Sequence, residues 1–346
     1  MASLKYFAYR AAFEALWASQ LAKIVRALSR SRGVIFTLHR VLPEPPADFS
    51  PNAILQVTPQ FLEFVILRLR ELGLELVGID EAVRRIQSPE AEAAFAVLSF
   101  DDAYRDNLTH ALPVLRRRKC PFTLYVPSGF VDGVGQVWWQ ALEDIIAQQD
   151  AIALTDKRGE LHYHDTRSLS QKYRLYSRLY ARMRENPEQE RVKFIAELGA
   201  RYGLAMQQHC RELIMDWNEL NTFVSEPLCT IGAHTVHHYE LAKLDRVQAR
   251  QEIEQCVGVL KAQYGLKVRH LSYPIGARAS AGPREFGLAA ELGMKTGVTT
   301  RPGGLYYRHK DSLMSLPRIS LNGFFQKRRY VEVFAAGALF SMLPAN

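Results

Sequence analysis

Apolar residues along the chain fall into two kinds of run. Short stretches such as Gly33-Val34-Ile35-Phe36, Phe95-Ala96-Val97-Leu98-Ser99-Phe100, Phe122-Thr123-Leu124-Tyr125-Val126 and Leu228-Cys229-Thr230-Ile231-Gly232-Ala233 are almost continuously hydrophobic. That pattern belongs to strands buried on both faces of a parallel sheet. Between them the apolar positions recur every three or four residues. Thr58-Pro59 opens a helix that Gly73 ends, and 74–79 reads as the next strand. Helices are expected over 107–118, from Trp138-Trp139 onward, and over 246–264 and 284–292, with later strands at 271–273, 296–299 and 316–321. The alternation is what a parallel α/β barrel requires.

Two regions break the rhythm. Residues 4–28 are rich in Ala, Leu and aromatic residues interrupted by Lys5, Arg10, Glu14, Lys23 and Arg26, which predicts an amphipathic helix ending at the Ser29-Arg30-Ser31-Arg32-Gly33 hinge. Residues 150–213 are polar and, over 169–202, helical in character, so they read as an insertion between barrel units. Tyr173, Tyr176 and Tyr180 within it have the spacing of a helix stripe, buried or available to stack on sugar rings. His162 and His164 alternate on a strand there and are assigned no metal role.

Chemistry concentrates at two strand ends. Asp101-Asp102 closes the run 95–100, and in α/β folds ligands bind at the carboxyl ends of strands. One carboxylate can hold a divalent ion while its neighbour accepts a proton from water. An Asp pair at a strand end also caps a following turn. His234-Thr235-Val236-His237-His238 follows the run 228–233, and a four-residue spacing brings His234 and His238 to one side of a helical turn, with His237 pointing elsewhere. Asp102, His234 and His238 would supply one oxygen and two nitrogens, leaving positions open for water and substrate, as catalytic zinc sites do.

With these residues in place the chain resembles the NodB-type polysaccharide deacetylases of carbohydrate esterase family 4, over roughly 33–320. The family's Thr-Phe-Asp-Asp-Gly motif is met by Ser99-Phe100-Asp101-Asp102-Ala103, and its His-(Ser/Thr)-x-x-His motif by His234 to His238. The resemblance implies Asp101 as general base and Asp102, His234 and His238 as ligands of a divalent metal, zinc first, with cobalt, nickel or manganese fitting the same donors. The Arg-x-Pro-Tyr motif is met only in part by Ser272-Tyr273-Pro274-Ile275-Gly276. Ser272 stands where the family has the arginine that orients the base, and nothing in the sequence obviously replaces it. Ile275 stands for the tyrosine, whose backbone N–H stabilises the oxyanion, a role any residue can fill. The Tyr-Pro-x-Gly form is similar to the poly-N-acetylglucosamine deacetylase branch, where the general acid is a histidine near the amino end. Thr37-Leu38-His39-Arg40-Val41 has that look, so His39 is the candidate acid and His309 the reserve.

The resemblance implies a distorted (β/α) barrel of about seven strands over 33–322, preceded by the helix in 1–32 and followed by a helical tail in 323–346. It also implies removal of N-acetyl groups from an N-acetylglucosamine-containing oligo- or polysaccharide, with release of acetate. An alternative keeps the fold and drops the chemistry: a catalytically weak or inactive glycan-binding protein, membrane-associated, in which the absent arginine marks decay. Composition fits one enzyme domain, since 346 residues at 48% hydrophobic content bury a large core. Cysteines at 120, 210, 229 and 256 show no close pairing, which points to a reducing compartment. The formal charge of +8 traces to runs such as Arg116-Arg117-Arg118-Lys119 near an expected helix end and carries no nucleic-acid pattern, so no nucleic-acid partner is expected. No apolar run is long enough to span a membrane, and Glu14 interrupts what would be a signal core. The expected location is the cytoplasm or the inner membrane face, and the N-terminal helix either packs on the barrel, the commoner outcome, or makes peripheral contact with a membrane surface.

Overall fold

The computed structural model describes residues 2–28, 31–90, 92–156, 158–337 and 340. Helices α1 (Ala2–Ala18) and α2 (Leu21–Leu28) lead into β1 (Gly33–Leu38), α3 (Pro59–Glu71), β2 (Phe95–Phe100), β3 (Phe122–Val126) and α4 (Trp138–Gln148). The insertion contributes α5 (Leu169–Glu185) and α6 (Glu188–Arg201). The chain then returns as β4 (Cys229–Ala233), α7 (Arg246–Tyr264), β5 (His270–Ser272), β6 (Thr296–Val298), β7 (Ile319–Ser320) and a last helix, α8 (Tyr330–Ala335).

The strands lie in the order β6-β5-β4-β3-β2-β1-β7, and every neighbouring pair is parallel. All positions of β1, β2 and β3 are buried, as their unbroken apolar runs predict. The two edges of the curled sheet approach each other: Val298 of β6 bridges in parallel to Leu316, just ahead of β7, and the Thr299 N–H donates to the Leu316 carbonyl at 2.9 Å. The result is a distorted (β/α) barrel with a seam between β6 and β7. Gly232 in β4 is needed for packing, because a Cβ there would lie 2.5 Å from the Tyr125 ring.

Several elements differ from the sequence expectation, each for a local reason. The N-terminal helix is two helices, because Gln20 adopts φ 58° and turns the chain between them. Phe13 of α1 packs at 5.1 and 5.4 Å on Phe325 and Phe334, which ties this region to the carboxyl end. The strand expected at 74–79 shrinks to Glu75–Leu76, since Gly78 already caps the next helix. The helix expected at 107–118 starts as a wide π turn, Asn107–Ala111. The insertion's helix breaks at Pro187, and an antiparallel hairpin, Ala151–Thr155 with Leu161–Asp165, precedes it. Of the expected helical tail, 338–339 and 341–346 lie outside the described residues. Among the described residues no helix is long and apolar enough to cross a membrane.

Candidate active site

The carboxyl ends of four strands, β1 and β2 on one side of β3 and β4 and β5 on the other, deliver the polar residues. His39 follows β1, Asp101 and Asp102 follow β2, His234 follows β4, and Ser272 closes β5. Asp101, Asp102, His39, His234, His238 and Ile275 all line one cavity. Seven non-glycine residues among those described have positive φ, and five of them, Asp102, Ala103, Thr235, His238 and Ile275, sit in the loops of this cavity. Left-handed backbone costs such residues about 1 kcal/mol or more each, so the strain is concentrated where side chains must be aimed.

The three expected ligands converge. Asp102 Oδ1 lies 3.4 Å from His234 Nε2 and 3.3 Å from His238 Nε2, and all three residues are buried. Asp102 Oδ1 has no hydrogen-bond partner among the described residues. An orphaned buried carboxylate oxygen facing two imidazole nitrogens is what a divalent cation would satisfy, so the residues fit the metal. His234 Nδ1–H donates to the Ser272 carbonyl at 2.7 Å, which turns the Nε2 lone pair toward Asp102. Burial pushes His238 down to about 3, holding its imidazole in the neutral form that ligates metals. Its ring packs 5.0 Å from Trp139 and 5.7 Å from Phe130.

The histidine loop is held from behind by Glu252 of α7. Its Oε2 accepts the Val236 and His237 N–H groups at 3.0 and 2.9 Å, and its Oε1 accepts from His237 Nδ1 at 2.6 Å. His237 therefore points out of the site. Glu252→Ala is expected to weaken zinc binding by about 10- to 100-fold, measured by competition with a chromogenic chelator, while the barrel melts cooperatively.

The arginine partner that the sequence does not place beside Asp101 comes from the seam. Arg318, 1% exposed and just ahead of β7, donates from Nη1 to Asp101 Oδ1 at 2.8 Å and from Nη2 to Oδ2 at 2.7 Å. Its Nη1 also donates to Ser99 Oγ at 3.2 Å, Nη2 to Ser272 Oγ at 2.9 Å and Nε to the Thr299 carbonyl at 2.9 Å. Every face of the guanidinium is used, the condition under which a buried ion pair is tolerated. Ser272 Oγ itself donates to Asp101 Oδ2 at 3.2 Å. The serine at the family's arginine position thus leaves room for an arginine from elsewhere and joins its network. Burial would raise the Asp101 carboxyl, but Arg318 and then His234 override it and hold it below the usual carboxylate range. Sequence reasoning missed Arg318. The available signal was an arginine in the short apolar run Leu316-Pro317-Arg318-Ile319.

His39 reaches the cavity from a loop fixed by the segment after the carboxylates: Asn107 Nδ2 donates to the His39 carbonyl at 2.7 Å, and Asp106 Oδ1 accepts the Val41 N–H at 2.8 Å. Burial pushes the His39 imidazole down, opposed by the charges of Asp102 and Asp101. His309 lies elsewhere. Its turn follows Leu305, which bridges to Gly33 at the amino end of β1, the end opposite His39, and its Nδ1 accepts the Tyr306 N–H at 2.9 Å. Ile275, at φ 61°, has its carbonyl held by Thr300 Oγ1 at 2.7 Å, and no acceptor takes its N–H among the described residues. Gly276 beside it, at φ 64°, has no room for a Cβ, which would meet the Thr300 nitrogen at 2.7 Å.

Residues 176–296 match the family model described as polysaccharide deacetylase. The stretch holds His234, His238 and Ser272 to Gly276 and omits Asp101-Asp102, which lie beyond the insertion. No curated protein matches the chain. Among solved structures it is similar to the Streptococcus pyogenes deacetylase PplD in complex with acetate, at 16% identity and TM-score 0.55, covering 85% of this chain and 94% of that one. It is also similar to IcaB from Ammonifex degensii, at 18% identity and TM-score 0.54 over 87% and 97% of the two chains. A polysaccharide deacetylase from Bacillus cereus gives 14% identity and TM-score 0.53 over 87% and 68%. At these identities the likeness is one of fold.

Proposed function

We propose that the chain is a NodB-type polysaccharide deacetylase, a metal-dependent hydrolase removing N-acetyl groups from an N-acetylglucosamine-containing glycan with release of acetate, a reading supported by the family model's match over residues 176–296. The observation that supports this best is the bidentate clasp of Arg318 on Asp101 beside the orphaned oxygen of Asp102. The reading of a decayed binding protein rested on an absent arginine, and Arg318 removes that motive.

Asp102, His234 and His238 would hold the ion, zinc by the donor set. Such an ion supplies Lewis-acid polarisation of the acetamide carbonyl and a more acidic water. Asp101 then takes the proton of the attacking water. Its Oδ2 accepts from both Arg318 and Ser272, whereas Oδ1 accepts from Arg318 Nη1 alone, so Oδ1 keeps the capacity to receive that proton. The Ile275 N–H donates to the oxyanion that forms as water adds to the carbonyl carbon. His39 gives a proton to the nitrogen as the C–N bond breaks, leaving acetate and a free amino sugar.

Purified protein is expected to release acetate from chitooligosaccharides, to stop on chelation and to recover with one equivalent of zinc. Protein that binds the zinc and turns over no acetylated glycan would return the case to the binding-protein reading. His39→Gln is expected to lower kcat about 100-fold with zinc content unchanged, whereas a role as ligand would show as lost metal.

A further inference from the structure

The cavity above the site measures about 940 Å³, far more than one acetamido sugar fills. Away from the metal residues the lining is largely aliphatic and aromatic, with Ile54, Leu55, Tyr173 and Tyr176 and with Tyr6 of α1 edge-on at 4.7 Å to Phe324, interrupted by Asn52, Ser170 and Ser177. Tyrosine faces can stack on sugar rings, but Ile54, Leu55 and Phe324 offer nothing to a sugar hydroxyl, and burying hydroxyls against them costs free energy. Hydrocarbon gains there instead. Arg174 of α5 lines the same cavity, and its guanidinium makes no hydrogen bond or ion pair among the described residues. Phe7, next to the cavity-lining Tyr6 on α1, is 70% exposed.

We propose that the substrate is an amphiphile, an N-acetylated amino sugar joined through a phosphate to a hydrocarbon chain. The sugar sits on the metal floor, the phosphate faces Arg174, and the chain runs along the wall of Ile54, Leu55 and Phe324. This rests on the deacetylase reading for which end of the molecule lies at the floor. Phe7, exposed beside Tyr6 at this wall, suits a chain drawn from a bilayer.

The test is calorimetric titration of the full-length, zinc-loaded protein with the methyl, octyl and dodecyl β-glycosides of N-acetylglucosamine, below their micellar concentrations, and with chitotetraose. Each methylene sealed from water is worth roughly fourfold, so if about two to three of the methylenes added from methyl to octyl are sealed on this wall, affinity should rise on the order of 10- to 100-fold. Leu55→Asn and Phe324→Ser should flatten the series. A flat series in the parent protein, or chitotetraose binding more tightly than the octyl sugar, overturns the proposal in favour of a polymer. A phosphate placed between sugar and octyl chain should tighten binding further, and Arg174→Ala should erase that gain; equal affinity with and without phosphate strikes it from the substrate. Acetate release scored in the same samples separates the two readings. Release with a flat series rejects the amphiphile and keeps the deacetylase, whereas rising affinity without release supports the chain site and rejects the hydrolase.

Discussion

Asp101→Asn is expected to lower acetate release on the order of 10⁴-fold while the protein keeps its zinc. The substitution changes one oxygen to an amide nitrogen and leaves the three donor atoms of Asp102, His234 and His238 where they are. It removes the carboxylate, beside Asp102, His234 and His238, whose Oδ1 accepts from Arg318 Nη1 alone and has lone-pair capacity left for a proton. It also leaves the Arg318 guanidinium buried without a counter-charge, so the variant should lose about 3–5 kcal/mol of stability. Activity should therefore be assayed well below the melting transition, with zinc counted on the same sample. Substantial turnover by this variant would show that some other group takes the proton.

Arg318→Ala is expected to lower kcat about 10³-fold with a smaller change in KM, because the arginine acts through Asp101 and has no path to the substrate. The readout that separates positioning from structural damage is the pH profile. Arg318 is what overcomes burial at Asp101, so without it the carboxyl titrates higher and the acid limb of the rate profile moves to higher pH. The same sign governs stability. A carboxyl held low in the folded state stabilises it above the unfolded value near about 4, and that contribution disappears as pH falls through the folded value. Parent protein should show this acid-side loss and Arg318→Ala should not. Arg318→Lys keeps the charge and loses the two-pronged clasp, so it should fall between the two. Since Ser272 Oγ touches both Asp101 and Arg318, adding Ser272→Arg to Arg318→Ala should recover part of the rate; no recovery and an unmoved acid limb would refute the positioning role.

The convergence of Asp101, Asp102, His234 and His238 on one cavity was legible because each signal is local. Two adjacent acids at the end of an apolar run, and two histidines four residues apart after another, are short-range patterns that the strand ends turn into one cavity. Arg318 was not legible in that way. It meets Asp101 across more than two hundred residues, and that meeting depends on how the last strand registers against the first, with Phe36 opposite Ile319. No periodicity encodes such a register. The break between α1 and α2 was hidden for another reason: Gln20 takes a left-handed conformation with neither glycine nor proline to announce it. The insertion's break, by contrast, had its proline in view at Pro187, yet the helical pattern on both sides masked it.

The placement of Arg318 at the seam has a consequence for the order in which the protein becomes itself. As the chain leaves the ribosome, Asp101, Asp102, His234 and His238 all emerge before the guanidinium that clasps Asp101, which arrives only with the last strand of the sheet. Closing the barrel and seating Arg318 on Asp101 are thus one event, so on the proposed mechanism a partly made chain that already grips a metal ion would still be chemically idle.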